Sequence, residues 1–577
     1  MDERIAVIGL GCRFPGAEGA EQLWELLVRG GDATQDVPAD RFDLASFFSP
    51  EPATPGKTAS RRGAFIDRAD QFDPGFFDIS AHEASKMDPQ HRLLLMTAWE
   101  ALEDAGQPPS RFANSRTGVF VGMMNADYWD LQCRKGTADM DLYAFTGSHQ
   151  RSLASGRLSY AFDLRGPSMT IDAACASSLV ALHTACLSLR AGESSMALAC
   201  GVNLALTPHE NIMYSSVRMM APDGRCKFGD ASANGFVRGE GVGVLVLKPL
   251  ERALADGDRV RAVLLGSAVS NDGRSKDTLT APSEVGQQTA MRWAYENAGI
   301  SPAEVDYVEA HGTGTRIDLV ELRALGAVLG PGRPKDRPCL VGSIKTNIGH
   351  AEGAAGIAGV IKTVLCLEHG QVPPNLHFHQ PHPQLDWEQL PLIIPTEMHP
   401  LPSRGRPAIA AVSGQGISST NVCIVLGQAD PSWLSPSKPD SPTRPHLLTA
   451  SARSGPALAD LCRALIAHLE PGGPGRAHSL RDICHTAALR RSHHEVRLAV
   501  VGASHDELVE RIRNPSESRE RKGDSLRIHL EELAALYVSG TLIDWSDACE
   551  AGGRLVPLPS YPWQLERYWL DSREGEL

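Results

Sequence analysis

The stretch IDAACASSLVALHTACLSLR, Ile171 to Arg190, joins an apolar strand (SMTIDAAC) to a helix through a turn of small residues, with one cysteine, Cys175, at the junction. Alanines on either side let the backbone turn tightly. A thiol at a helix start sees the positive end of the helix dipole, which favours thiolate. Cys175 is therefore either a nucleophile or a small buried hydrophobe. The same alternation recurs on both sides of this stretch. TGVFVGMM, MALACGVNLAL and GVGVLVLKPL read as strands, and so do VRAVLLGSAVS, VDYVEAHG, CLVGSIKTN and AIAAVSGQG. Helical stretches such as MDPQHRLLLMTAWEALEDAG, with apolar residues at helical spacing and a closing glycine, separate the strands. Continuous apolar strands between helices predict an α/β fold with the sheet covered on both faces. Two sets of about four strands suggest two similar halves.

The chain has 577 residues, enough for one large core and smaller units. With 56 basic and 69 acidic residues its net charge is −13, which argues against nucleic acid as a partner. No apolar run is long enough to cross a bilayer, so no membrane role is expected. The start, MDERIAVIGLGCRFPG, is too short in its apolar part for a signal peptide and reads as a first strand. The expected compartment is the cytoplasm. Twelve cysteines show no CxxC pairing or zinc spacing, so they are expected reduced, mostly in the core, with no metal site.

Four segments are expected. Residues 1–430 carry the α/β unit; 431–446 form a Pro/Ser-rich linker. Residues 447–514 form a small α/β unit, with the helices GPALADLCRALIAHLE and HDELVERIRN beside the strand VRLAVVGA. Residues 515–577 comprise a charged loop and an aromatic tail, LPSYPWQLERYWLD, which is too small for its own core and must lie on another surface.

Two further stretches share the strand-then-glycine grammar of the Cys175 turn. VEAHGTGT places His311 at a strand end, and GSIKTNIGHAEGAAGIAG places Lys345 just after a strand and His350 in the next loop. One cysteine and two histidines at strand ends form a nucleophilic constellation.

Together with IAVIGLGCRFPGA, PDGRCKF, NGFVRGEGVGVLVLK and KTNIGHAEGAAGIAGVIK, these stretches resemble the β-ketoacyl synthase (ketosynthase) domains of modular polyketide synthases. The resemblance covers about the first three-quarters of the chain. It implies a thiolase-like, five-layered αβαβα fold in a homodimer. Matched position by position, Cys175 is the acyl-accepting nucleophile, and His311 and His350 hold the extender thioester. Lys345, Glu321 and Gln415 support the site, and Thr313, Thr315 and Asn347 face the pantetheine arm. The implied reaction is decarboxylative Claisen condensation on substrates carried by the phosphopantetheine of a separate acyl carrier protein, with no bound cofactor. The oxyanion of the acyl step is expected on the Cys175 N–H and the loop near Gln415.

Three departures stand out. After HGTGT this chain reads RIDLVE, with Ile317 and Leu319 where the family has glycine and proline; isoleucine tolerates positive φ poorly, so a different loop path is expected. In SGQGISSTNVC, Gln415 replaces a gating phenylalanine, Ser418 and Ser419 replace glycines, and Cys423 replaces histidine. The amide is expected to wet the site and to slow decarboxylation, or to bring in another nucleophile. The segments 447–514 and 524–571 resemble linkers flanking an acyltransferase whose G-x-S-x-G elbow is missing here, so a separate acyltransferase is expected to load the extender.

Alternative readings remain open. GDSLRIHLEEL imitates a carrier-protein site at Ser525, although the charged loop before it favours a linker helix. His377, His379 and His382 suggest a metal, but prolines and the lack of carboxylates favour a surface loop. RRSHHEVR reads as a solvated basic face that can touch an acidic carrier protein. The same acyl-cysteine also suits transfer to an alcohol, amine or preformed carbon nucleophile without CO2 loss. A non-catalytic scaffold is the remaining alternative.

Overall fold

The computed structural model describes residues 3–137, 140–402, 404–433, 444–515, 525–548 and 552–570. Most of the expected 431–446 linker and most of the charged loop at 515–524 lie outside these residues, as do the last seven positions.

A single twelve-stranded sheet organises residues 5–428. Its main strands are β1 (Ile5–Phe14), β2 (Thr117–Gly122), β3 (Ser168–Ile171), β4 (Met196–Asn203), β5 (Gly241–Pro249) and β6 (Ala262–Asn271). They continue as β7 (Tyr307–Glu309), β8 (Cys339–Gly342), β9 (Leu392–Ile393), β10 (Ile409–Gln415) and β11 (Thr420–Gln428). The spatial order is β9-β8-β7-β10-β11-β6-β1-β5-β4-β2-β3. The antiparallel pair β1–β6, with Ile5 opposite Leu264, joins two halves of like design. On one side of this seam β4, β2 and β3 run parallel; on the other, β10, β7 and β8 do. The two expected sets of strands are thus five and six strong.

The helices sort into three layers. Helix α1 (Pro89–Asp104), capped by the Asp88 carboxylate and begun by a proline, packs with α2 (Leu153–Ala161) outside the first half. Helices α3 (Ser177–Arg190), α4 (Glu284–Ala298), α5 (Ile317–Leu329) and α6 (Ala355–His369) follow. Of these, α4 and α5 cover the outside of the second half. Between the halves lie α3 and α6, sharing one core with Phe120, Leu182, Ile357 and Val412 from both sides. The helix–sheet–helix–sheet–helix stack is the expected αβαβα arrangement. Close approach at its centre requires small residues: a Cβ at Gly122 would sit 2.4 Å from the Ser178 nitrogen of α3.

A second, smaller sheet pairs β12 (His446–Ala452) with β13 (Val496–Gly502). Helices α7 (Gly455–Leu469), α8 (Leu480–Leu489) and α9 (His505–Arg513) surround it. Helix α10 (Ser525–Val538) begins at Ser525 and buries Leu530, Ala534 and Tyr537 against Leu447 and Val501. That packing joins it to the small sheet instead of to a carrier-type bundle. Residues 552–570 then run back across the first unit: Glu566 and Arg567 pair with Gln71 and Phe72, and Tyr561 and Trp563 close on Phe76. Among the described residues no helix is long and apolar enough to cross a membrane.

Candidate active site

The chemistry-bearing residues gather at the C-terminal ends of parallel strands, where an open α/β sheet exposes its loops. Cys175 follows β3 and precedes α3. His311 follows β7, Lys345 follows β8, and Gln415 ends β10. Cys175 and Lys345 thus occupy corresponding places in the two halves, each between a strand and a central helix.

The turn at Cys175 is strained. Ala174 has φ of +53°, in the left-handed region that costs a residue with a Cβ about 1–2 kcal/mol. Local bonds hold it there: the Ala173 N–H donates to Ser177 Oγ at 2.9 Å and the Ala174 N–H to Asp172 at 3.1 Å. Burial pushes the half-buried Cys175 thiol up to about 12, with the Glu352 charge adding to the rise and Lys345 opposing it. The expectation of an enriched thiolate is therefore corrected. Desolvation and a nearby carboxylate act against the thiolate that the helix start favours.

His311 and His350 are both buried, with ring centroids 5.4 Å apart and planes at 87°. The Gln415 N–H donates to His311 Nδ1 at 3.4 Å, and the Glu352 N–H donates to His350 Nδ1 at 3.2 Å. A ring nitrogen that accepts carries no proton, so each neutral imidazole holds its hydrogen on Nε2. Burial, reinforced by the Lys345 charge, holds both rings well below the usual histidine range. Each ring has a firm base. The two Glu321 carboxylate oxygens accept the His311 and Gly312 N–H groups at 2.8 and 2.9 Å. The His350 N–H donates to Val237 O at 2.7 Å, and the Gly239 N–H donates to His350 O at 2.8 Å.

Lys345 is 4% exposed; burial lowers its pKa, and Glu309 and Glu321 oppose that effect. Its charge acts on Cys175, His311 and His350 alike. Chain 415–416 links the rings to the thiol turn: beyond the His311 contact, a Cβ at Gly416 would lie 2.4 Å from Ala173 O. Gln415 is itself buried, with its Oε1 accepting from Gln287 Nε2 at 3.0 Å. The amide adds polar groups, as expected, but in a closed setting instead of a wet one. In the loop near Gln415, where part of the acyl oxyanion site is expected, the Gln415 N–H is engaged by His311 and the Gly416 N–H by Thr420 O at 2.8 Å.

Local bonds and glycines hold the altered loops. Ile317 opens α5 in helical conformation, while positive φ falls on Gly312 and Gly314, at +42° and +79°. Asp318 accepts from the Thr313, Gly314 and Gly229 N–H groups, and burial beside Glu321 pushes it up to about 7. Ser419 takes φ of +73° in a glycine's place; its hydroxyl accepts from Lys276 Nζ at 2.5 Å and donates to Leu279 O at 3.2 Å. Cys423 is fully buried against Tyr295.

Thr313 and Thr315 pair through their hydroxyls at 3.0 Å, with Thr315 partly exposed. Asn347 does not fit the pantetheine-facing place expected of it. It is completely buried, and its Nδ2 donates to Gly31 O at 3.0 Å, a tether between loops. His377 lies 3.5 Å from the Asp32 carboxylate, and the backbone N–H groups of His379 and Gln380 donate to Asp230. These contacts hold the loop in place.

Sequence reading misses the buried pair of Arg238 and Glu352, whose bonds of 2.5 and 2.9 Å fix the residue that caps His350. Both lie in the stretches quoted above, NGFVRGEG and GHAEGAAG, but nothing in either stretch shows that two positions 114 residues apart meet.

Residues 2–253 match the β-ketoacyl synthase N-terminal domain, and residues 261–379 match its C-terminal domain. The chain belongs to the β-ketoacyl synthase family. Residues 446–512 match the CurL-like polyketide synthase C-terminal family. The ketosynthase is similar to the ketosynthase from module 6 of the bacillaene synthase of Bacillus subtilis 168. The two are 33% identical with a TM-score of 0.86, over 98% of this chain and 100% of that one. The oxazolomycin ketosynthase domain OzmH KS7 of Streptomyces albus JA3453 is also 33% identical, with a TM-score of 0.88 over 98% of each chain. Among curated proteins, polyketide synthase GfsB of Streptomyces halstedii is 45% identical over 91% of this chain. Polyketide synthase GfsA of the same organism is 48% identical over 89% of it. The ketosynthase spans only 9% and 7% of the lengths of those two relatives.

Proposed function

We propose that this ketosynthase loads an acyl group onto Cys175 from an acyl carrier protein and condenses it with a carrier-bound malonyl-type extender, releasing CO2. The observation that carries the reading is the pair of neutral imidazoles, each with Nδ1 accepting a backbone N–H and hence each with an N–H donor on Nε2. In the first step Cys175 Sγ attacks the incoming thioester carbonyl, the bond to the pantetheine sulfur breaks, and the thiol proton leaves with the pantetheine thiol. The energetic level of the thioester is kept. The Cys175 N–H receives the carbonyl oxygen.

In the second step the malonyl carboxylate leaves as CO2, and the two Nε2–H groups stabilise the enolate oxygen. Each preorganised donor of this kind is typically worth about 3–4 kcal/mol in barrier. The enolate carbon then attacks the Cys175 thioester, the C–S bond breaks, and the sulfur regains a proton from solvent. Its raised pKa makes that last protonation downhill. Lys345 and Glu321 act as positioning groups, and Thr313 and Thr315 receive the pantetheine arm.

The extender is supplied by a separate acyltransferase, in keeping with the missing serine elbow. The cytoplasm is the compartment in which carrier-bound thioesters and the eleven free cysteines of the described residues are compatible. A homodimer completes the proposal. Strand β3 lies at the end of the sheet with Met169 43% exposed, and Tyr160 and Leu142 are exposed at 91% and 70%. A bare sheet edge is a template for the same strand of a second copy.

Intact-protein mass spectrometry with a butyryl-loaded carrier tests the reading. An adduct mapping to Cys175, discharged as a β-ketoacyl product on adding malonyl carrier, is expected. Acyl transfer without CO2 release would point to the non-decarboxylative reading.

A further inference from the structure

Tyr214 is a phenol that neither of the two steps above uses. It is 7% exposed, and among the described residues its hydroxyl makes no hydrogen bond. That oxygen is not sealed from solvent, and neither is the half-buried Cys175.

The helix that carries Tyr214, His209–Ser216, is fastened to the frame of the active site. Arg238 donates to Asn211 Oδ1 of that helix at 2.7 Å. The same guanidinium holds Glu352, whose N–H fixes the His350 ring. Phe236, two residues before Arg238, stands edge to face between the two rings. Its centroid lies 5.3 Å from that of Tyr214 and 5.3 Å from that of His350, at interplanar angles of 66° and 74°. The three rings make one continuous wall from the imidazole to the phenol. An ionised Cys175 acts on the phenol as well, so the sulfur is within electrostatic range of the hydroxyl.

Chemistry narrows the occupant. Burial, then Glu352 and Cys175, hold the phenol well above its usual range, with Glu210 adding to the rise and Arg238 opposing it. The hydroxyl is thus a neutral donor at working pH. Surroundings that disfavour a phenolate also disfavour an anionic guest such as a carboxylate. A neutral oxygen, keto or hydroxyl, accepts from Tyr214, whereas a methylene cannot.

We propose that Tyr214 is a specificity-determining residue, its hydroxyl donating to a keto or hydroxyl oxygen on the acyl chain carried by Cys175. The inference rests on the acyl-cysteine reading above. The chain leaves the sulfur beside His350 and follows the ring wall to the phenol. An oxygen placed there keeps a hydrogen bond that a fully reduced chain forfeits. One net bond of this kind supports a preference of about three- to tenfold.

The test uses the full chain. Loading of Cys175 is followed by intact-protein mass spectrometry with 3-oxohexanoyl, 3-hydroxyhexanoyl, 5-oxohexanoyl and hexanoyl thioesters of N-acetylcysteamine. At least one oxygenated chain should load about three- to tenfold faster than hexanoyl, and the responding position gives the reach of the phenol. In Tyr214→Phe, which keeps the ring wall, that ratio should fall close to one. Tyr214→Met is a second variant, with thermal melting to check that both fold. A preference owed only to the reactivity of the thioester survives both substitutions, and that result overturns the proposal. Equal rates for all four chains in the unaltered protein overturn it too. Failure of every thioester to label Cys175 would instead remove the acyl-cysteine reading, and this role of Tyr214 with it.

Discussion

His311 and His350 stand edge to face, 5.4 Å apart, each with Nδ1 turned to a backbone N–H and Nε2 left as a donor. Two neutral donors converging from separate loops suit an oxygen that becomes negative during a reaction. A protonated imidazole would place a full charge in the site, and burial beside the Lys345 ammonium prevents that.

The Cys175 thiol, raised to about 12, sets a pH dependence. At pH 7 almost none of it is thiolate, and that fraction grows tenfold per pH unit. Alkylation by iodoacetamide should be slow near neutrality and still rising above pH 9, with no plateau near 7. Peptide mapping at each pH measures this. A plateau below pH 8 would show that the helix dipole and Lys345 outweigh burial.

Glu321 accepts two buried backbone N–H groups, and replacing it by alanine leaves both without partners. At about 1–3 kcal/mol for each orphan, Glu321→Ala should lose about 2–6 kcal/mol in denaturant unfolding and misplace His311. Glu321→Gln keeps one accepting oxygen and should lose roughly half as much.

Trp563 lies against Phe76, Phe77 and Tyr561, and its Nε1–H donates to Glu100 at 2.7 Å. Trp563→Ala removes the main apolar clasp of the returning tail, and about 3 kcal/mol of destabilisation is expected. Limited proteolysis should then cut within 552–570 sooner than in the unaltered protein.

Met169 faces outward on the edge strand β3. Met169→Lys introduces two like charges at a two-fold edge and should shift the protein from dimer to monomer in light scattering after gel filtration. An unaltered protein already monomeric at micromolar concentration would dismiss the edge-to-edge dimer.

Much of this is legible in the sequence. The α/β class follows from apolar strands such as β4 between amphipathic helices, and the strand-end positions of Cys175, His311 and Lys345 follow from their glycine and alanine neighbours. How the halves join is not legible, because the β1–β6 seam pairs Ile5 with Leu264 across most of the first unit. Asn347 misleads for a related reason: its motif is local, whereas its bond to Gly31 is not. Sequence overstates the thiolate at Cys175 because a helix start is visible there, while burial and the Glu352 charge exist only once the chain is folded. Gln415 is visible as an odd residue, but its partner Gln287 lies 128 positions away.

The most direct measurement separates the two steps, with CO2 loss assigned to the imidazole pair and carbon–carbon bond formation to the sulfur. Radiolabelled CO2 release from malonyl carrier protein should persist in Cys175→Ala without any β-ketoacyl product. It should fall about 100- to 1,000-fold in His311→Ala and in His350→Ala. Abolition of CO2 release in the cysteine variant, or unaltered release in either histidine variant, would contradict that division of roles.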